Sequence, residues 1–413
     1  MQSSMNSTAP AFDLAGRLYQ DEQERNVTNW SQIPAEEVKE DPLAFPKINA
    51  GVAGRFAEAY SAISEAPYQF YLMVFLAFLG AFLAGKITLK SLLKVQSRLF
   101  LILLGASGRG RKSTPISIVG DFFQNLIPDF GLMHNANSGE GLGVFLEKNP
   151  STVLVFDEFA SFVSKASQKN NTLLGAVTSF FEKNQYQTAT KDKQLLIEDA
   201  YLSMVAACTT DTWERCWTSD FTAIGLVNRL FIIPGNMEKL VPIPPRLPLE
   251  KLRTLQDNTL AVIRHAEAVK EYELTEEGKA LYDTWYREGL DHKSLHSIRL
   301  DAYALRFMML LAVARGDETI QLDTVRDAIK LADWQHLVRQ QYDPLDADTE
   351  IAKIEQRIRR TLSIKPRTLR ELQQATHAQR SGLWIWKNAL ENLRQNEEVA
   401  YDATTKKYHL LEV

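Results

Sequence analysis

Cysteine is scarce: 413 residues include two, Cys208 and Cys216. Neither falls in a metal-ligand spacing. Two thiols in so long a chain point to a reducing compartment and a cytoplasmic protein. Long apolar runs are also missing. Residues 70–85 form the strongest one, and it is shorter than the ~20 residues that span a bilayer. With Gly80 inside it and Gly85 at its end, it reads as a buried helix, so no membrane partner is expected. The first residues are polar and lack a basic-then-apolar leader, so no secretion signal is read. A surplus of charge is missing too. Lys and Arg number 47 against 51 Asp and Glu, for a net charge of -4. That excludes a global basic field, so any nucleic-acid surface must be local. The length allows two or three domains with a large core.

Four stretches follow along the chain. Residues 1–48 are polar and read as a loose or partly helical arm. Residues 49–248 begin with a helical lead-in and then alternate apolar strands with amphipathic helices, the pattern of an α/β layer. Strands are expected near 99–104, 152–156, 201–208 and 229–233, the last closed by Pro234 and Gly235. A proline-rich linker, Pro242 to Pro248, leads to residues 249–345, whose apolar positions recur at helical spacing. Residues 346–413 form a separate unit. Helices are expected at 351–362, at 368–376 with Thr368 as N-cap, and at 381–396 with Ser381 as N-cap. Two strands, 398–401 and 407–411, then flank a turn. Three helices and a hairpin resemble a winged-helix module, whose later helix usually enters the major groove. Arg380, Lys387, Arg394, Lys406 and Lys407 would face phosphates. A protein-docking module fits the same order, because Glu391, Glu397 and Glu398 dilute the positive face.

The most informative segment is residues 101–114, LILLGASGRGRKST. It reads as a buried strand, a glycine-rich turn and the start of a helix. Such a turn aims main-chain N–H groups at a phosphate, a lysine adds a point charge, and a hydroxyl ligates Mg²⁺. The candidate ATP-binding residues are Gly105, Ser107, Gly108, Gly110, Arg111, Lys112, Ser113 and Thr114. The usual spacing is G-x-x-x-x-G-K-[ST]. Here Arg111 intervenes between Gly110 and Lys112, so the loop is one residue longer.

Residues 152–156 are a short β-branched and aromatic run ending in Asp157 and Glu158. An acidic pair at the C-terminal end of a central parallel strand is where an NTPase holds Mg²⁺ and polarises water. Asp157 and Ser113 are the metal ligands of this reading, and Glu158 is the general base. Residues 202–210 are a strand ending in polar groups, and Thr209 is the candidate for orienting the attacking water. Arg229 precedes an apolar strand. An arginine delivered in trans stabilises charge on a transferring phosphoryl group. Arg299 and Arg306 lie seven apart, on nearly one face of an expected helix. Residues 186–190 and 194–197 read as a hairpin with Lys191 and Lys193 at its tip, where a lysine can grip a phosphate backbone. Each of these also has a plainer reading as an ordinary turn, a solvated face or a locally paired arginine.

Together the segments resemble the AAA+ core of the minichromosome-maintenance helicases. Asp157-Glu158-Phe159 matches the family's acidic motif, residues 205–208 resemble its Ala-Ala-Asn strand end, and residues 226–230 resemble its Leu-Ser-Arg-Phe finger. Arg299 and Arg306 repeat its pair of lid arginines, and Lys191 falls where its pore hairpin has a lysine. The resemblance covers roughly residues 95–413 and implies an α/β fold with an AAA+ P-loop sheet, a helical N-terminal segment, a helical lid and a C-terminal winged helix. It further implies ATP and Mg²⁺ as cofactors, single-stranded or forked DNA as partner, a homohexamer, and a primase or polymerase alongside. Two departures stand out: the extra loop residue, and Cys208 or Thr209 in place of the family's asparagine. An alternative of another class is a nucleotide-gated DNA-binding scaffold or loader that unwinds nothing.

Overall fold

Only a strand covered on both faces tolerates a continuous hydrophobic run. In the computed structural model, which describes residues 43–189, 194–217, 225–343 and 350–411, four such strands and one half-exposed edge strand build one parallel sheet. Helices α1 (Gly51–Ile63) and α2 (Tyr68–Leu83) come first. Then β1 (Phe100–Leu104), buried at every residue, leads into α3 (Ser113–Leu126). Next come β2 (Gly131–His134), α4 (Gly139–Lys148), β3 (Ser151–Phe156), α5 (Phe159–Ala166) and α6 (Leu173–Glu182). The antiparallel pair β4 (Tyr186–Ala189) and β5 (Gln194–Ile197) forms the expected hairpin arms. Its tip, with Lys191 and Lys193, lies outside the described residues. β6 (Tyr201–Cys208), α7 (Thr210–Cys216) and β7 (Phe231–Pro234) complete the layer. Strand order is β2–β3–β6–β1–β7, with Leu104 opposite both Cys208 and Pro234, and Phe156 opposite Ala206. β1 and β3 therefore end at the same edge with β6 between them.

The apolar run around residue 75 is the buried helix expected of it. Phe75 and Phe78 of α2 meet Phe122, Phe123 and Phe130, with Phe78 stacked on Phe130 at 5.5 Å. Among the described residues no helix is long and apolar enough to cross a membrane.

Four helices follow: α8 (Leu249–Val269), α9 (Glu276–Thr284), α10 (Leu300–Arg315) and α11 (Leu322–Tyr342). Tyr303 and Phe307 of α10 pack on Phe231, the first residue of β7, at 5.1 and 5.0 Å. The last stretch contains α12 (Glu350–Ile364), α13 (Leu369–Ala375), a short helix Ala378–Ser381, α14 (Leu383–Gln395), and the antiparallel strands β8 (Val399–Asp402) and β9 (Lys407–Leu410). Arg367–Thr368 adds a third short strand beside β9. Thr368 caps α13 in a reciprocal box with Glu371, as its sequence predicts. Ser381 does not cap α14. It ends the short helix, and Gly382, at φ +85°, takes the capping position.

β2 is absent from the sequence expectations because it is an edge strand. Its Leu132 and Met133 are only half buried and His134 is exposed, so it has no continuous apolar signature. β7 starts two residues later than expected, because Val227–Arg229 closes as a 3₁₀ turn instead.

Trp386 is fully buried at the centre of the C-terminal stretch, among Ile354, Leu372 and Leu393, and its Nε1 donates to Thr376 Oγ1 at 2.7 Å. Trp386→Ala leaves a cavity and removes the bond to the Thr376 hydroxyl, so it is expected to destabilise this stretch by about 3–5 kcal/mol. Denaturant unfolding monitored on residues 350–411 checks this, and a loss below about 1 kcal/mol contradicts the packing described.

Candidate functional site: a glycine loop and an acidic pair at one sheet edge

The glycine loop is clamped by the chain that leaves β7. Gly235 N donates to Leu104 O at 2.8 Å, Ala106 N donates to Asn236 Oδ1 at 2.9 Å, and Met237 N donates to Arg109 O at 2.9 Å. The approach is so close that a Cβ at Gly105 would lie 2.2 Å from Gly235 O, so only glycine fits. Gly108 turns the loop at φ +70°.

Arg111, the extra residue, adopts a left-handed conformation at φ +47°. Its guanidinium swings away from the loop to Glu65, Nε to Oε2 at 2.5 Å. The insertion is thus absorbed as a single bulged residue, and Lys112 still folds back beneath the loop. Its Nζ donates to Gly105 O at 2.9 Å and to Ala106 O at 3.3 Å. Burial lowers the lysine's pKa from its ordinary value. The Val241 N–H and the Arg111 guanidinium hold the Glu65 carboxyl below the usual range.

Helix α3 starts without a side-chain cap. The N–H groups of Ser113 and Thr114, in its first turn, have no intrahelical partner and lie at the positive end of the helix dipole, while Pro115 has no N–H. Ser107, Gly108 and Ser113 are exposed, Thr114 is half buried and Gly110 is buried. Beside this first turn lies a cavity of about 290 Å³, walled by Arg111, Thr114, Glu65, Ala66, Pro242 and Pro244.

Asp157 and Glu158 emerge at the same edge, two strands from the loop, about 10 Å across the sheet at the usual strand spacing. Both are exposed. His134, at the end of β2, places Nδ1 3.9 Å from Asp157 Oδ2. Sequence reasoning gave no sign of this histidine, because β2 itself was unread. Between loop and acids stands Cys208, only 2% exposed. The hydrogen bond that Cys208 donates to Cys216, together with burial, pushes the Cys208 thiol up, while Lys112 acts to lower it and Glu158 to raise it. Both charged groups therefore lie within electrostatic reach of the same sulfur. Thr209 does something other than expected. Its hydroxyl caps α7, accepting from Thr212 N at 3.2 Å and bonding Thr212 Oγ1 at 2.8 Å.

The arginines sit at the opposite edge. Arg229 precedes β7, and Leu230 with the four strand residues separates it from Gly235 by about 20 Å of extended chain. Its Nη1 donates to Gly225 O at 2.8 Å, and the guanidinium lies 6.0 Å from the Phe181 ring. The expected pair of arginines on one lid face is not formed. Arg299 lies before α10, at φ +67°, and is ion-paired with Glu182. Arg306 is 4% exposed, donates to Arg98 O at 2.9 Å and Phe181 O at 3.0 Å, and covers the Phe181 ring at 4.0 Å. Its guanidinium holds main chain of the same polypeptide. Arg98, which sequence reasoning missed, does likewise: it ties the carbonyls of Phe180 and Lys183 at the end of α6. Burial lowers these two arginines to about 9 for Arg98 and about 10 for Arg306, so both remain charged at neutral pH.

Residues 346–413 hold twelve lysines and arginines against ten aspartates and glutamates, a net +2 in a chain whose total is -4. Lys387, Lys406 and Lys407 are exposed. Arg394 pairs with Glu391 at 3.0 Å. The Arg380 side chain lies outside the described residues. Trp384, at the start of α14, is 72% exposed.

An anion at the loop favours charged Lys112. Affinity for a nucleoside triphosphate is therefore expected to fall as pH rises through the lysine's lowered pKa, at a lower pH than for an ordinary lysine. Lys112→Ala should weaken binding about ten- to a hundredfold and abolish this alkaline limb. Dissociation constants measured between neutral and alkaline pH check both points. No protein-family model matches the chain, and no curated protein matches it.

Proposed function

We propose that this chain is an ATP-driven DNA translocase or helicase of the AAA+ class, working as a closed oligomer such as a hexamer. The observation behind this reading is the shared sheet edge, where the glycine loop with Lys112 and the Asp157–Glu158 pair face one another across the end of β6. Gly105, Ser107, Gly108, Gly110 and Lys112 bind the phosphates. The 290 Å³ cavity beside Thr114 takes the nucleoside, stacked on the proline walls. Mg²⁺ keeps several waters and needs only one or two protein oxygens beside the phosphates. The Ser113 hydroxyl and the Asp157 carboxylate, both exposed, fit that donor set. The metal neutralises phosphate charge when bound. Glu158 takes the proton of the attacking water. With Thr209 committed to α7, the Cys208 thiol is the group nearest the position of the water-orienting residue.

Arg229 is too far from its own loop to act there. As a finger it serves a neighbouring subunit, which requires a heterologous, ring-forming or helical contact. The exposed Lys387, Lys406 and Lys407 support a local DNA surface on the winged-helix module, with the hairpin lysines as a second contact. The rival reading, a scaffold or loader whose module recruits protein, is favoured by one observation: Trp384 and Leu383 are exposed at the start of α14, at 72% and 47%.

Glu158→Gln is expected to keep nucleotide binding and lower turnover by about 10²–10⁴. Arg229→Ala should also spare binding while cutting hydrolysis to a residual rate, about 10³–10⁵ lower. Steady-state turnover and equilibrium binding, measured side by side, check both. Loss of binding in Arg229→Ala makes that arginine structural and sinks the trans site. Strand displacement on a forked duplex then separates motor from scaffold.

A further inference from the structure

Arg339 lies in α11 with no exposed surface, and among the described residues its guanidinium bonds main-chain carbonyls, with the Asp343 carboxylate acting on it only electrostatically. Its Nη2 donates to Asn228 O and Leu230 O, both at 3.1 Å. Its Nη1 donates to Ile298 O at 2.7 Å and His296 O at 3.2 Å. From α10, the buried Tyr303 hydroxyl lies 2.7 Å from Arg229 O and 3.0 Å from Phe100 O. Three consecutive carbonyls, those of residues 228, 229 and 230, are therefore held by the helices that follow the sheet. The first two belong to the 3₁₀ turn that presents Arg229, and the third to Leu230, which follows it. The other half of the Arg339 fork holds the segment leading into Arg299. Both side chains reach the Phe181 ring, at 6.0 and 5.6 Å.

A buried guanidinium is an expensive way to fill space. An apolar side chain of equal volume often stabilises as well or better, and Arg339 Nε here has no partner. What a planar fork supplies, and a hydrocarbon cannot, is a fixed distance between two separate segments. We propose that Arg339, assisted by Tyr303, is a positioning residue for Arg229, setting the guanidinium that each subunit offers to its neighbour's nucleotide. The inference rests on the trans-acting role given to Arg229 above. It adds that the finger is indexed to the helical region of its own subunit, so the geometry of that region governs turnover next door.

The test is a double-mutant cycle on the full-length oligomer with ATP, reading turnover, nucleotide Kd and thermal midpoint. Arg339→Gln should lower kcat about a hundredfold, the scale of a 1 Å misplacement, with Kd unchanged. Arg339→Lys should restore the thermal midpoint but not kcat, because a point charge cannot span both segments. Tyr303→Phe should lower kcat severalfold. In the double variant with Arg229→Ala, residual single-turnover rates should be no slower than for Arg229→Ala alone. Multiplicative losses would place Arg339 elsewhere in the mechanism and overturn the proposal, as would lost nucleotide binding with kcat retained. If Arg339→Gln fails to fold, the cycle with Tyr303→Phe decides in the same way. Unchanged turnover in Arg229→Ala alone would overturn the trans site itself, a distinct outcome visible before the cycle is closed.

Discussion

One backbone contact sets the position of everything chemical in this molecule: the chain leaving β7 lies directly on the glycine loop. Gly235 bonds Leu104, Asn236 bonds Ala106 and Met237 bonds Arg109. These bonds hold the loop open in a shape that a free glycine-rich segment would leave continually, since glycine loses more conformational freedom on ordering than any other residue. The lysine then finds its place under the loop, and the helix start finds its direction. The same β7 has the Arg229 turn at its other end. One four-residue strand thus joins the loop clamp to the arginine that faces away from it.

Buried cations do the corresponding work at the far edge. Arg98, Arg306 and Arg339 are all held by main-chain carbonyls. Carbonyl oxygens at helix and strand ends are themselves unsatisfied, so each guanidinium meets several needs at once. Arg98 and Arg306 meet at the end of α6, which leads into the β4–β5 hairpin. Arg339 meets the turn before β7. The helical region after the sheet is therefore bonded to both the hairpin base and the arginine turn, not merely packed beside them.

Much of this was legible in the chain. β1, β3 and β6 are buried on both faces, so their apolar runs are uninterrupted and their ends are marked by glycine, by an acidic pair and by polar residues. The hairpin arms and the wing-like strands follow the same logic. The misses have physical causes. β2 is half exposed, so its composition is mixed. Thr209 looked like a water-orienting group because a hydroxyl after a strand and a hydroxyl before a helix are the same residue when the two elements abut. Arg299 and Arg306 share a helical spacing only if the helix has already begun, and it begins after Arg299. Arg98 and Arg339 had no local signal, because their acceptors are carbonyls distant in sequence.

The bulge at Arg111 has a bearing on how such chains are recognised. A residue in the left-handed region reverses the local turn and hands the next residue back in its former direction. Length changes while the ends keep their chemistry. Counting positions between glycine and lysine is then the wrong ruler, and the handedness of the intervening backbone is the right one. A loop of this family of shapes can gain a residue without losing its grip, provided the newcomer points outward and something like Glu65 is there to receive it.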